Sequence, residues 1–150
     1  MTAQPSIATS HFGICVSDLE RSLRFYCDGL GFEHVVAFPI GSEYGKGLEV
    51  PGEVALTSQF IRKGGMTIEL LHFTSPGSDG TPSERRNRIG LTHIAFVSDD
   101  VQATAKHLVE CGATLLPDTH TVVSSPEGDN ELVFLADPDG VRIEVGNHGV

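Results

Sequence analysis

The sequence lacks the features of a membrane or disulfide-stabilised protein. It has no apolar run near the ~20 residues that a membrane-spanning helix needs, and the first residues show neither the basic nor the apolar region of a signal peptide. Its three cysteines, Cys15, Cys27 and Cys111, are scattered, odd in number and without a CxxC pair. This pattern is typical of reduced thiols, so we expect a cytoplasmic protein.

Positive charge is also scarce. Ten Lys and Arg residues stand against 20 Asp and Glu residues, which gives a formal net charge of −10. A surface of this sign is repelled by nucleic-acid phosphates and by anionic lipid headgroups. The composition therefore argues against nucleic acid or membrane as partners and favours a small-molecule substrate.

The chain contains an internal repeat that is visible at the start of each half. His11 opens a short apolar run and Asp18 follows it seven residues later; His93 and Asp100 have the same arrangement. Each aspartate stands directly before a helical pattern of apolar residues, where a helix N-cap is expected. Both halves are thus predicted to begin with a strand that carries a histidine, followed by a helix.

The two halves also end alike. Residues 65–70 match residues 140–145 position for position as Gly, apolar, polar, Ile, Glu, apolar. Each half therefore closes on a strand that carries one glutamate, Glu69 in the first half and Glu144 in the second.

Between these ends, the sequence predicts the order β-α-β-β-β twice. We expect module one over about 8–74, a Gly-, Pro- and Ser-rich linker over about 75–89, and module two over about 90–147. The predicted fold class is α+β, with the two βαβββ modules in tandem forming one curved, cup-like sheet around a metal site. Two loops at equivalent places, 41–52 and 124–130, are expected to cover that site.

The repeated His and Glu residues indicate a metal site. Strand side chains alternate between faces, so a His and a Glu on neighbouring strands are able to point the same way. Two such pairs supply two imidazoles and two carboxylates, a set that suits one Zn, Ni, Co, Mn or Fe ion with positions left for water or substrate. The alternative is that each is an ordinary strand residue. The matching positions in both repeats favour the metal site, with His11, Glu69, His93 and Glu144 as ligands.

Several local motifs resemble a known family. These are residues 18–26 (DLERSLRFY), 29–32 (GLGF) and 137–140 (DPDG) followed by Ile143 and Glu144. They are similar to the vicinal oxygen chelate superfamily, which contains glyoxalase I, methylmalonyl-CoA epimerase, extradiol dioxygenases and fosfomycin- and bleomycin-resistance proteins. The resemblance covers about residues 8–147. It implies a single domain over 1–150 and the same four metal ligands.

The complete His/Glu/His/Glu set most resembles bacterial glyoxalase I, with the epimerase close to it. The resemblance implies a divalent-metal-dependent isomerase or lyase that acts through an enediolate on a small carbonyl or thioester substrate. It makes Glu69 and Glu144 candidates for the catalytic base, with Glu144 favoured. Two alternatives stay open: a non-catalytic drug- or metabolite-binding protein, and an Fe(II) ring-cleaving dioxygenase, which Glu69 disfavours because it would occupy a coordination position.

The resemblance also implies a homodimer, and it leaves open whether the modules pair within one chain or between two. Cys15 and Phe73 stand where bacterial glyoxalase I has an Arg and an Asn that bind glutathione, which argues against that cofactor. Arg85, Arg86 and Arg88 form the one cationic cluster and are either a phosphate site for a CoA ester or a solvated part of the linker. No separate cofactor-binding residues are predicted.

Overall fold

The computed structural model describes residues 5–149, and in them the predicted α+β fold of two βαβββ units is confirmed. Two four-stranded mixed sheets have the strand orders β1-β4-β3-β2 and β5-β8-β7-β6. No helix in the described range is long and apolar enough to cross a membrane. The elements are β1 (Phe12–Cys15), α1 (Leu19–Leu23), a π-helical segment (Arg24–Gly29), β2 (Glu33–Gly41), a 3-10 turn (Ser42–Tyr44), β3 (Ala55–Lys63), β4 (Met66–Ser75), β5 (Ile94–Val97), α2 (Val101–Glu110), β6 (Thr114–Ser125), β7 (Gly128–Ala136) and β8 (Arg142–Gly146).

The helices begin at the two predicted N-caps. The Asp18 carboxylate accepts a hydrogen bond from the Arg21 backbone N–H at 3.0 Å, and Asp100 accepts one from Ala103 at 2.8 Å. Each bond satisfies one of the free N–H groups in a first helical turn. The repeat is therefore preserved in local geometry as well as in sequence.

Strand alternation separates the core from the glutamates, and His11 and His93 stand directly before β1 and β5 and not within them as predicted. β1 runs parallel to β4 and pairs Gly13 with Glu69, while β5 runs parallel to β8 and pairs Ala95 with Glu144. The neighbours of each glutamate are fully buried: Ile68 and Leu70 in the first sheet, and Ile143 and Val145 in the second. Because neighbouring strand residues point to opposite faces, the two glutamates lie on the faces that turn away from the core.

One hydrophobic core lies between the two sheets. Its members come from the inner faces of both sheets and from the helices, including Phe25, Tyr26 and Leu108. The shared core fixes the two sheets as a unit, and their outer faces carry the candidate ligands.

The prediction that residues 124–130 form a loop is wrong. Strand β6 continues to Ser125 and β7 starts at Gly128, so these residues belong to a hairpin with a two-residue turn. Ser125 Oγ donates to the Gly128 carbonyl at 2.8 Å, and Gly128 has a φ of +125°, which only glycine adopts readily. The cluster of Ser, Pro and Gly marks this tight turn and leaves the strands on both sides intact.

Candidate functional site

Each sheet carries one His–Glu pair on its outer face. We call the pair of His11 and Glu69 half-site one, and the pair of His93 and Glu144 half-site two. His11 Nε2 lies 3.1 Å from Glu69 Oε2, and His93 Nε2 lies 3.3 Å from Glu144 Oε2. Two ligand atoms about 2.1 Å from one metal ion and at right angles are about 3.0 Å apart. Both pairs therefore have the separation of neighbouring ligands on a single ion.

A hydroxyl group orients each imidazole. Ser10 Oγ lies 2.8 Å from His11 Nδ1, and Thr92 Oγ1 lies 2.8 Å from His93 Nδ1. A hydrogen bond at Nδ1 leaves Nε2 directed at the carboxylate, which is the arrangement that metal-binding histidines require. Neither residue was predicted from the sequence, although a hydroxyl residue precedes the histidine in each repeat.

A phenylalanine packs against each imidazole as well. Phe60 meets His11 edge to face with ring centroids 5.0 Å apart, and Phe134 meets His93 in the same way at 5.3 Å. These two residues are also the register partners of Glu69 and Glu144 on the adjacent strands. The two half-sites are thus equivalent in four positions, and packing restricts the ring orientation in both.

The glutamates differ in their second contact. Ser58 Oγ donates to Glu69 Oε1 at 2.5 Å. In the second sheet Leu132 takes the place of Ser58, counted from the paired phenylalanines, and has no hydroxyl to donate. Within the described residues, Glu144 contacts His93 and has no other hydrogen-bond or ion-pair partner. Glu69 is therefore fixed at both oxygens, whereas Glu144 is held at one.

The four predicted ligands do not meet within one chain. Over residues 5–149, no group of three or more His, Cys, Asp or Glu side chains is placed to hold a metal ion. The physical reason is the shared core: the helical segments pack against the inner faces of the sheets and against each other, so half-site one and half-site two lie on the outer faces of different sheets.

A cavity of about 430 Å³ adjoins half-site one. Its walls combine His11 with the aromatic rings of Phe38 and Phe60 and with the polar groups of Arg62 and Thr67. Such a mixture of apolar walls and a few polar groups is typical of small-molecule sites.

A second cavity, of about 650 Å³, contains Cys15. Cys15 is exposed there and faces linker residues 78–82. Desolvation, followed by the charges of Asp139 and Asp79, raises the pKa of the Cys15 thiol. The thiol is therefore held in its protonated, weakly nucleophilic form.

The three linker arginines do not act as one cluster. Arg85 and Arg88 are exposed, whereas Arg86 is half-buried and its guanidinium donates to the backbone carbonyls of Ser83 and Thr92. Arg86 thus lies beside half-site two, one residue from His93.

Comparisons with known sequences give a consistent family assignment. The sequence model of the Glyoxalase/Bleomycin resistance protein/Dioxygenase superfamily matches residues 8–145. The chain is 33% identical over 141 residues to the uncharacterized protein YaeR of Escherichia coli K12, covering 90% of this chain and 92% of that protein. It is 26% identical over 147 residues to a 2-epi-5-epi-valiolone epimerase of an Actinomyces species (95% and 80%), and 28% identical over 141 residues to a probable lactoylglutathione lyase of Synechocystis (90% and 91%).

Solved structures agree in fold. A glyoxalase family protein from Bacillus cereus superposes with a TM-score of 0.78 at 17% identity, covering 97% of each chain. The fosfomycin resistance protein FosX from Listeria monocytogenes, determined with Mn(II) and sulfate, superposes with a TM-score of 0.59 at 16% identity, covering 95% of this chain and 93% of that one.

Proposed function

Because the chain belongs to the Glyoxalase/Bleomycin resistance protein/Dioxygenase superfamily, we propose that it is a divalent-metal-dependent isomerase or lyase of the glyoxalase or epimerase type. The observation that carries the proposal is the pair of equivalent half-sites, His11 with Glu69 and His93 with Glu144. Relatives named as an epimerase and as a probable lactoylglutathione lyase support the reaction class, and the Mn(II) in FosX supports a divalent metal.

The residues fit a divalent metal ion. The two imidazoles are oriented through Nδ1, and each Nε2 lies at ligand spacing from a carboxylate oxygen. Two neutral nitrogen ligands and two carboxylates balance a charge of +2 and suit Zn, Ni, Co, Mn or Fe. When bound, the ion would stabilise the negative charge that develops on the oxygens of a carbonyl substrate.

In this proposal Glu144 moves the proton. Its carboxylate is held only by His93 among the described contacts, so it is free to turn towards a substrate C–H group, accept the proton and return it to the neighbouring carbon. Glu69, fixed by Ser58, stays in place as a ligand. The asymmetry of the second contact thus distinguishes a ligand that is able to turn away and act as the base, Glu144, from a ligand that stays fixed, Glu69.

A second copy of the chain would complete the metal site. Half-site one of one copy and half-site two of another would together supply the four ligands that no single chain brings together. The edge strands β2 and β6 carry exposed apolar side chains, which a second copy would cover. They are Val35, Val36 and Phe38 on β2, and Leu115, Val122 and Val123 on β6.

Mixed pairs of variants test this proposal directly. One differently tagged chain carries His11→Ala with Glu69→Ala, the other carries His93→Ala with Glu144→Ala, and mixed pairs are isolated through both tags. A site shared between copies leaves one intact centre in each mixed pair, so we expect about one metal ion per pair against about two in the wild type. Elemental analysis measures this ratio.

The matched control is His120→Ala with Glu131→Ala, which removes a His–Glu ion pair of 2.8 Å between β6 and β7 that includes none of the four candidate ligands. It should retain the full metal content. Mixed pairs without metal would contradict the shared site, and a wild type that binds no ion after reconstitution would contradict the metal-dependent function.

A separate measurement addresses catalysis. Metal-loaded protein incubated in D₂O with a panel of small carbonyl and thioester compounds should exchange deuterium into one of them, and a chelator should abolish the exchange. Metal binding without exchange in any compound would instead support the non-catalytic binding protein.

A further inference from the structure

Two arginine side chains lie beside half-site two. Arg142 is on β8, two residues before Glu144, and therefore projects from the same face of the sheet. Arg86 reaches this place from the linker and donates to the carbonyl oxygen of Thr92, whose hydroxyl holds His93. β5 and β8 pair in parallel, starting with Ile94 opposite Ile143. Thr92 with its bound Arg86 and the side chain of Arg142 therefore lie at the same, N-terminal end of the two strands.

Neither of these two guanidinium groups forms an ion pair within the described residues, although the Glu144 carboxylate lies on the same face of β8. Within residues 5–149, neither guanidinium has a carboxylate oxygen within 4.0 Å, and both donate to backbone carbonyls instead; Arg142 donates to Gly140 at 2.9 Å. Desolvation, and then the charge of Arg142, lower the pKa of Arg86. Two like charges, each half-buried, stand together in a chain whose formal net charge is −10.

We propose that Arg86 and Arg142 form an anion subsite, which binds a carboxylate or phosphate group of the substrate next to half-site two. Guanidinium groups bind both anions through paired hydrogen bonds, and an anion here would offset the like charges. The inference rests on the proposed function, and it narrows the substrate class to carbonyl compounds that carry an anionic group. The first repeat lacks this pair of arginines, because Thr67 takes the place of Arg142 there and accepts a hydrogen bond from Arg62 at 3.2 Å.

Anion titration of the metal-free protein tests the subsite, because no metal ion is then present to bind the added anion. Chelator-treated full-length protein is titrated with inorganic phosphate and, separately, with malonate, and binding is followed by calorimetry and by backbone amide shifts. We expect saturable binding, with affinity about tenfold or more lower in Arg142→Gln, as the loss of one charge-assisted hydrogen bond predicts. Arg142→Lys keeps the charge but not the paired guanidinium donors, so its affinity should lie between those of the wild type and Arg142→Gln.

Arg86→Gln should weaken binding by a similar factor. The matched control is Arg85→Gln, which removes the same charge from the same linker at an exposed position and should leave the affinity unchanged. If Arg86→Gln disturbs folding, the Arg142 variants alone decide the matter. A preference for phosphate or for malonate supports the subsite and identifies its anion.

No saturable binding to the wild type, or an equal loss in the Arg85→Gln protein, would overturn the subsite. Metal content measured on the same variants separates the two proposals. Anion binding by a chain that never takes up metal would refute the proposed function and support the subsite. Metal uptake without anion binding would refute the subsite and leave the proposed function standing.

Discussion

At the scale of single residues, Ser58 distinguishes two otherwise equivalent glutamates. Its hydroxyl donates to Glu69, and Glu144 has no such donor among the described residues. Removing a group that orients a metal ligand lowers metal affinity by about 10- to 100-fold. We therefore expect Ser58→Ala to weaken metal binding by about tenfold, measured by competition with a chromogenic chelator.

The control for this variant is Ser125→Ala, since that serine bonds only within its own hairpin turn. Equal metal affinity in Ser58→Ala and the wild type would show that metal binding does not depend on the hydrogen bond from Ser58 to the Glu69 carboxylate. The result also bears on the assignment of the base, because it tests whether the two carboxylates differ in mobility.

The candidate ligands were readable from the sequence because they recur at matching points of the repeat. Ser58 was not readable, since its counterpart, Leu132, breaks the symmetry and only the strand register brings Ser58 to Glu69. Ser10 and Thr92 are an intermediate case. A hydroxyl residue before each histidine is visible in the sequence, but its contact with Nδ1 depends on the direction of the imidazole ring, which only the structure shows.

At the scale of elements, the helix N-caps offer a matched pair of variants. Asp100 caps α2 through the Ala103 N–H, whereas its neighbour Asp99 is exposed and makes no cap. Asp100→Ala should lower the free energy of unfolding by about 1 kcal/mol, the typical value of an N-cap, and Asp99→Ala should change it little. Urea denaturation followed by circular dichroism measures both; equal losses would point to net charge and not to the cap.

Element prediction succeeded where local chemistry decides and failed where pairing decides. The N-caps and the two βαβββ orders follow from sequence pattern alone. The extent of β6 does not, because residues 121–125 are exposed on both faces and are kept in a strand by their pairing with β7. A hairpin of this kind has no buried face for alternation to mark.

At the scale of the whole molecule, the sequence predicts that four candidate ligands belong together, but it does not predict on which faces of the molecule they lie. Alternation places His11 and Glu69 on one face of a strand pair, whichever way that face turns. The direction is set by which faces form the common core, and that depends on contacts between residues far apart in the chain. This is why pairing within a chain and pairing between chains were equally compatible with the sequence.

The two halves are joined by a buried polar contact. Tyr26 Oη donates to Asp137 Oδ2 at 2.8 Å, linking the π-helical segment to the turn before β8. Burial is the largest effect on the Asp137 carboxyl and raises its pKa, while the hydrogen bond from Tyr26 lowers it in part. Because the folded pKa is raised, ionisation of Asp137 opposes folding, and its contribution to stability falls as pH rises through the folded pKa.

Tyr26→Phe removes the donor and leaves a buried carboxylate oxygen without it. We expect a loss of about 1–3 kcal/mol in the free energy of unfolding at neutral pH. The loss should shrink towards about pH 4, where the protonated carboxyl needs the donor less, because removing the hydroxyl raises the pKa of Asp137 further. Tyr44→Phe, at a tyrosine that is 55% exposed, is the matched control and should change stability little at either pH. A loss in Tyr26→Phe that is the same at both pH values would mean that the hydroxyl contributes through packing and not through the Asp137 carboxylate.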